Sequence, residues 1–213
     1  AVTAAIVSGL GMLRGVEWVD ALAAYKDGMG GMFGGTGIGD VLFLGAAPAI
    51  VALGFSLYEQ RLMLKRNLLP ILGGGTITAV LSVAFTALMT RLIRLDTEVG
   101  LSLVTRFVTL PMAVPVVEIL GANLGLAAAA VVIQGILGAT FGQRLLDMIG
   151  VKNDVARGVA IGGTSHALGT ASVATSEPDI SPPSAVTFLV TGTILCIFMQ
   201  FSAFRTLIRL LIG

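Results

Sequence analysis

The chain is 213 residues long, 55% hydrophobic and 12% charged, with a net charge of +1. A soluble domain carries about 25% charged residues, so this deficit, with several uncharged runs of about 20 residues, points to an all-α integral membrane protein. A net charge near zero gives no electrostatic footprint for nucleic acid, and one cysteine and one histidine exclude an internal disulfide and leave no ligand set for a zinc site.

Seven helical segments are expected in chain order. The first is Ala1–Leu13. Only 13 residues precede Arg14, short of the about 20 that a span needs, and no charged n-region or cleavage site accompanies them. The chain is therefore expected to begin inside a longer protein, its 213 residues forming one transmembrane domain. Val16–Asp27 follows as a polar patch whose Trp18 and Tyr25 suit a membrane–water interface. Residues 28–40 (GMGGMFGGTGIGD) read as a glycine-rich loop with neither a complete GxGxxG nor a Walker A lysine, so no cofactor is expected there or elsewhere. The second span is Asp40–Tyr58. A charge run at Glu59–Arg66 (EQRLMLKR) reads as a solvated connection to the third span, Leu68–Ile93. The fourth is Glu98–Leu120, interrupted by Pro111 and Pro115. The fifth is Asn123–Ile149, and the sixth Asp154–Ser176, glycine-rich at its centre. The seventh is Ser184–Leu211, where Cys196 reads as a small packing residue.

If every segment crosses, loops after spans one, three, five and seven carry Arg14, Lys26, Arg91, Arg94, Arg144, Lys152, Arg157, Arg205 and Arg209. The other side carries Arg61, Lys65 and Arg66, and is acidic at Glu118, Glu177 and Asp179. That asymmetry supports seven spans and puts the first group on the cytoplasmic or equivalent side. Gly138-x-x-x-Gly142 and Gly158-x-x-x-Gly162, with Gly73, Gly74 and Gly75, read as helix-packing positions. Interruptions in spans four and six, both near the bilayer midplane, hint at two related halves in opposite orientation.

Two ionisable residues lie inside these spans. A charge at the bilayer centre costs about 2.5–3.5 kcal/mol on insertion scales, so it is kept where it faces a cavity, a partner or a substrate. His166 lies in Gly162-Gly163-Thr164-Ser165-His166-Ala167-Leu168-Gly169-Thr170. This run makes a poor continuous helix, since each glycine costs about 1 kcal/mol against alanine. Broken helices at membrane depth occur where they are buried in protein or line a cavity, and Thr164, Ser165 and Thr170 add hydroxyls. The alternative is a kinked structural helix with His166 hydrogen-bonded to a neighbour. Arg106 lies near mid-depth in span four, ahead of Thr109, Pro111 and Pro115. Its guanidinium offers five donors in a fixed fork that suits a carboxylate. The alternatives are an ion pair with Glu118 or Asp154, or snorkelling to an interface. Ser165 beside His166 is no hydrolase signature, because neighbours on a helix point apart. No GxSxG is present, so an enzyme is not expected.

Four stretches carry a further signal: GDVLFLGAAPAIVALGFSLYEQR (39–61), LSLVTRFVTLPMAV (101–114), VKNDVARGVAIGGTSHALGTA (151–171) and EPDISPPSAVTFLVTG (177–192). Through them the chain resembles the LrgB family of membrane proteins over nearly its whole length. The small–hydroxyl–His–x–x–Gly–Thr core of the sixth segment is that family's most distinctive element. From Glu177-Pro178 onward the chain resembles the plastid branch more than the bacterial one. Bacterial relatives carry Pro-Lys-Ser-Val-Thr where this chain has Thr105-Arg106-Phe107-Val108-Thr109, so Arg106 keeps the positive charge. The plant branch has a cysteine near Phe107, which this chain lacks.

The resemblance implies a secondary transporter exchanging glycolate and glycerate across the plastid inner envelope in photorespiration, or a counterpart in a bacterial inner membrane. It implies a small anionic substrate, surrounding lipid, an LrgA-like half in the same chain or as a partner, and room for a homo-oligomer. Arg106 would bind the carboxylate. Thr109, Thr164, Ser165 and Thr170, with Gly169 beside them, would meet substrate hydroxyls. His166, with a reference pKa of about 6.5, would donate to the anion or carry a coupling proton. Bacterial members are linked to murein hydrolase export, lysis and, in some cases, pyruvate transport. A holin-like protein that modulates lysis or permeability is therefore the alternative.

Overall fold

The computed structural model describes residues 61–213, together with Phe55 and Tyr58. Apart from those two positions, the first and second spans, the Trp18/Tyr25 patch and the 28–40 loop lie outside the described residues. By its contacts the chain divides between Glu59 and Gln60, and residues 60–213 form one compact unit. Every described element is helical: α1 (Arg61–Arg66), α2 (Leu68–Ile93), α3 (Thr97–Leu103), α4 (Leu110–Leu120), α5 (Leu124–Met148), α6 (Asp154–Ser176), α7 (Ser181–Gln200) and α8 (Ser202–Ile212). The described part of the charge run before the third span is the short helix α1, with Arg61, Lys65 and Arg66 exposed.

Among the described residues α2, α5 and α7 are long and apolar enough to cross a membrane. The shortest, α7, has 20 residues and reaches about 30 Å, the thickness of the hydrocarbon core. Leu69, Ile77, Leu81 and Leu88 on α2, and Ile133, Ile136 and Phe141 on α5, point outward, as side chains facing lipid do. Helix α7 differs, with 50% of its central window buried against 22% and 17% for α2 and α5. It is the middle of the bundle because glycines admit its neighbours. A side chain at Gly75 would meet Thr191 Oγ1 at 3.2 Å, and one at Gly158 would meet Ile180 O at 2.7 Å. Gly162 has no room at all over the Ser184 backbone. The packing role expected of Gly74, Gly75, Gly138, Gly142, Gly158 and Gly162 is what these contacts show, whereas Gly73 faces open space.

The fourth segment does not run straight through. Helix α3 ends at Leu103, and Val104–Val108 make i→i+3 turns, such as Arg106 N–H to Leu103 O at 3.2 Å and Val108 N–H to Thr105 O at 3.1 Å. Thr109 is extended and α4 starts at Leu110 with Pro111 in its first turn, where the missing N–H costs nothing. The break thus precedes Pro111, and Pro115 stays inside α4. Gly121, at φ 66°, closes α4 with a left-handed cap. The chain has then returned to its starting end: Asn123 N–H donates to Ser102 Oγ at 3.0 Å, and its amide to Glu98 Oε1 at 3.2 Å.

The sixth segment folds back in the same way. Its helical path breaks at His166, at φ 44° and ψ −143°. Arg157 near its start then bonds Glu177 just past its end, at 2.9 and 2.7 Å, and Asp147 of α5 at 2.7 Å. The two arms touch at Gly169, whose added Cβ would lie 3.1 Å from Ile161 Cγ2. One end of the bundle therefore gathers the N-terminus of α2, the C-terminus of α5 and both ends of α6. The other gathers the C-terminus of α2, both ends of the α3/α4 hairpin and α8. There Arg91 donates to Leu210 O at 2.5 Å, and Arg209 to Leu120 O at 3.3 Å.

Two expectations change. The seventh segment is not one rod from Ser184 to Leu211. It stops at Gln200, and extended Phe201 turns the chain into α8. About 28 residues of helix would overshoot the hydrocarbon core, and α8 buries only Ile208 and Ile212. Among the described residues the charge asymmetry also does not hold, because it required every segment to cross; Arg14 and Lys26 lie outside them. With two segments folded back, Arg91, Arg94, Arg205 and Arg209 share one end, and Arg61, Lys65, Arg66, Arg144, Lys152 and Arg157 the other. Glu118 falls with the first group, Glu177 and Asp179 with the second.

Candidate functional site

Each hairpin carries one of the two ionisable residues at its tip. Arg106 sits in the turn between α3 and α4. Its Nη1 donates to Thr86 Oγ1 and to Ser82 O at 3.3 Å, with a longer approach to Leu103 O at 3.5 Å. The guanidinium carbon lies 5.7 Å from the centre of the Phe85 ring, within cation–π range. Ser82 is about 16 Å along α2 from its nearer end, so the guanidinium lies well away from either end of that helix. No carboxylate pairs with Arg106 among the described residues. The expected alternatives, a bond to Glu118 or Asp154 and snorkelling, are not formed. Nε and Nη2 make no hydrogen bond to the described residues, which leaves a two-donor edge of the fork open. Thr109 caps α4 through its backbone, and its hydroxyl makes no cap bond.

His166 is 3% exposed. Its Nε2 lies 2.9 Å from Val131 O, and Gly135 makes room for the ring, since a Cβ there would fall 2.7 Å from Cε1. Val131, Gln134, Gly135 and Gly138 recur at i, i+3, i+4 and i+7, one face of α5, and this face cradles the tip. Gln134 Nε2 donates to Thr164 O at 3.1 Å, and Ser165 Oγ lies against Gly138. The hydroxyls expected around the site are mostly engaged. Thr164 donates to Ala160 O at 2.7 Å and lies 3.2 Å from Ser165 Oγ. Thr170 donates to His166 O at 2.9 Å and shares a hydrogen with Ser184 at 2.7 Å. They hold the tip closed, and Gly169 serves arm-to-arm packing. Cys196 is partly buried, its thiol 3.6 Å from Met112 O.

Arg106 and His166 make no bond to each other, and their printed partners lie on α2 and α5 respectively. The Val131 carbonyl receives His166, and its side chain packs in the core cluster that holds Val104, Phe107 and Val108 of the first tip. Gln134 and Thr86 are the partners that sequence reasoning missed. A lone amide midway along an apolar helix was the available signal for Gln134. Thr86 looks like any helical threonine.

This is a helical membrane protein with two inward-folded hairpins. Residues 36–204 match the LrgB-like family, and the chain belongs to it. It is 33% identical over 178 residues to the plastidal glycolate/glycerate translocator 1, chloroplastic, of Arabidopsis thaliana, a match covering 83% of this chain and 35% of that protein. An uncharacterized protein of Haemophilus influenzae is 32% identical over 153 residues, covering 72% of this chain and 66% of the relative. YxaC of Bacillus subtilis, also uncharacterized, is 30% identical over 141 residues, covering 66% and 60%. The chain thus spans about a third of the plant relative and about two thirds or less of the bacterial ones. No solved structure matches.

Proposed function

We propose that the chain is the LrgB-like part of a secondary carrier that exchanges small 2-hydroxy-carboxylates, of the kind the plant relative is named for. The observation that supports it is the pair of hairpins entering from opposite ends, each with a cationic or titratable residue at its tip. Broken helices that line a midplane site, repeated in inverted orientation, are the construction of many carriers. The α6 arms are about 15–18 Å long, enough to bring a re-entrant tip to the middle of a core about 30 Å thick. Arg106 binds the carboxylate through its open Nε/Nη2 edge, and Thr109 meets a substrate oxygen. Thr164, Ser165, Thr170 and Gly169 frame His166. The membrane is a plastid inner envelope or a bacterial inner membrane, with an LrgA-like half as partner. A holin-like role through subunit contacts gains no support from the glycine faces, which are filled within the chain.

Proteoliposomes preloaded with glycolate should take up labelled glycolate saturably. Arg106→Ala should abolish this uptake while the protein still inserts. Leak that does not saturate would overturn the carrier, and near-normal uptake by Arg106→Ala would remove Arg106 from the site.

A further inference from the structure

The two hairpins are fastened in different ways. Arg157, 7% exposed at the base of the α6 hairpin, donates to both oxygens of Glu177 at 2.9 and 2.7 Å and to Asp147 of α5 at 2.7 Å. Such charge-assisted bonds are about twice as strong as neutral ones. The first arm of α6 also lies directly on main chain, with the Ser184 backbone at Gly162 and Ile180 O at Gly158. Backbone cannot turn aside as a side chain can. The ends of the α3/α4 hairpin are joined by two single hydrogen bonds from Asn123, one to Ser102 Oγ and an exposed one to Glu98. Its closest approaches are to side-chain ends: Thr90 and Ile212 at Gly100, and Met112 Sδ of α4 at Gly192 of α7. An unbranched thioether repacks readily.

There is also space beside this hairpin. A cavity of about 190 Å³ lies between α2 and the first arm and tip, lined by Phe85, Met89, Ile93, Leu95, Leu103 and Arg106. Phe85 and Ile93 are themselves exposed, so the cavity opens outward, and among the described residues nothing fills it. We infer that the α3/α4 hairpin is the moving gate of the carrier, rocking toward α2 into this cavity and away from α7, while the α6 hairpin stays fixed between α5 and α7. Alternating access moves one part of such a bundle against the other, and the two fastenings assign the moving part. Gly121, at φ 66°, is the joint where the hairpin leaves for α5. The gate opens at the end of the bundle that holds Arg91 and Arg209. The inference rests on the carrier reading, and the two fail separately.

The test places spin labels in a Cys196→Ala background of the reconstituted protein. One pair, Glu118→Cys with Leu92→Cys, spans from α4 to the same end of α2. The other, Thr175→Cys with Leu69→Cys, spans from the second arm of α6 to the opposite end of α2. Saturating glycolate should shift the first distance to shorter values in part of the population and leave the second unchanged. A shift of the second pair, or none of the first, would overturn the assignment. Met89→Trp, which fills the cavity, should slow glycolate exchange by about tenfold or more, whereas Leu88→Trp on the outward face should leave it unchanged. Exchange by Met89→Trp at the wild-type rate would also overturn the gate, and the label distances decide independently of whether that variant folds. Absence of saturable glycolate exchange in the wild-type protein would instead remove the carrier reading beneath it.

Discussion

His166 holds a backbone conformation that glycine adopts without strain, at φ 44° and ψ −143°. A non-glycine residue in such a region stores about 1–3 kcal/mol. Gly162, Gly163 and Gly169 lie within a few positions, yet the turn itself falls on the imidazole. The strain is therefore kept for the ring. Replacing His166 with glycine releases it and replacing it with alanine does not, while both remove the ring. His166→Gly should be more stable than His166→Ala by about 1 kcal/mol, the reverse of their order in a helix. Thermal unfolding of the two variants in detergent checks this, and a more stable alanine variant would mean that the turn is unstrained. Arg106 follows another logic. It meets hydroxyl and carbonyl oxygens with one nitrogen, and these leave its positive charge uncompensated among the described residues.

At the scale of elements, the break at His166 was legible in advance. A run of glycines and hydroxyls around one ring cannot hold a straight helix in lipid. The direction of the chain beyond the break was not legible. About 23 mostly uncharged residues suit one crossing or two half-crossings equally, and helical periodicity is the same for both. The difference lies in pairs far apart in sequence, Arg157 with Glu177 and Asn123 with Glu98, which no local pattern reports. The helix α8 could have been separated. Ile208 and Ile212 share one face four residues apart, and Arg205 and Arg209 share another. Glycine positions give the sharpest test of the packing. Gly162→Ala would press a methyl group into the Ser184 backbone and should cost about 1–3 kcal/mol. Gly73→Ala meets nothing within 4 Å and should gain up to about 1 kcal/mol from helix propensity. Melting temperatures in one detergent decide it, and equal shifts would refute the close approach of α6 to α7.

For the whole molecule, the paired ends of each hairpin fix which loops share a membrane face. In a Cys196→Ala background, cysteines placed at Asp96 and Gly121 should react with an impermeant reagent from one face only, and cysteines at Lys152 and Asp179 from the other. Labelling of 96 and 121 from opposite faces would show that the fourth segment crosses. The hairpin geometry also constrains how the protein is made. The α6 hairpin has a break that needs protein around it, since lipid cannot satisfy its backbone. Half of its seat, the Val131–Gly138 face of α5, leaves the ribosome first. The other half, Ser184 on α7, follows α6 out of the ribosome. The second hairpin is therefore fully seated only once α7 has joined α5 beside it.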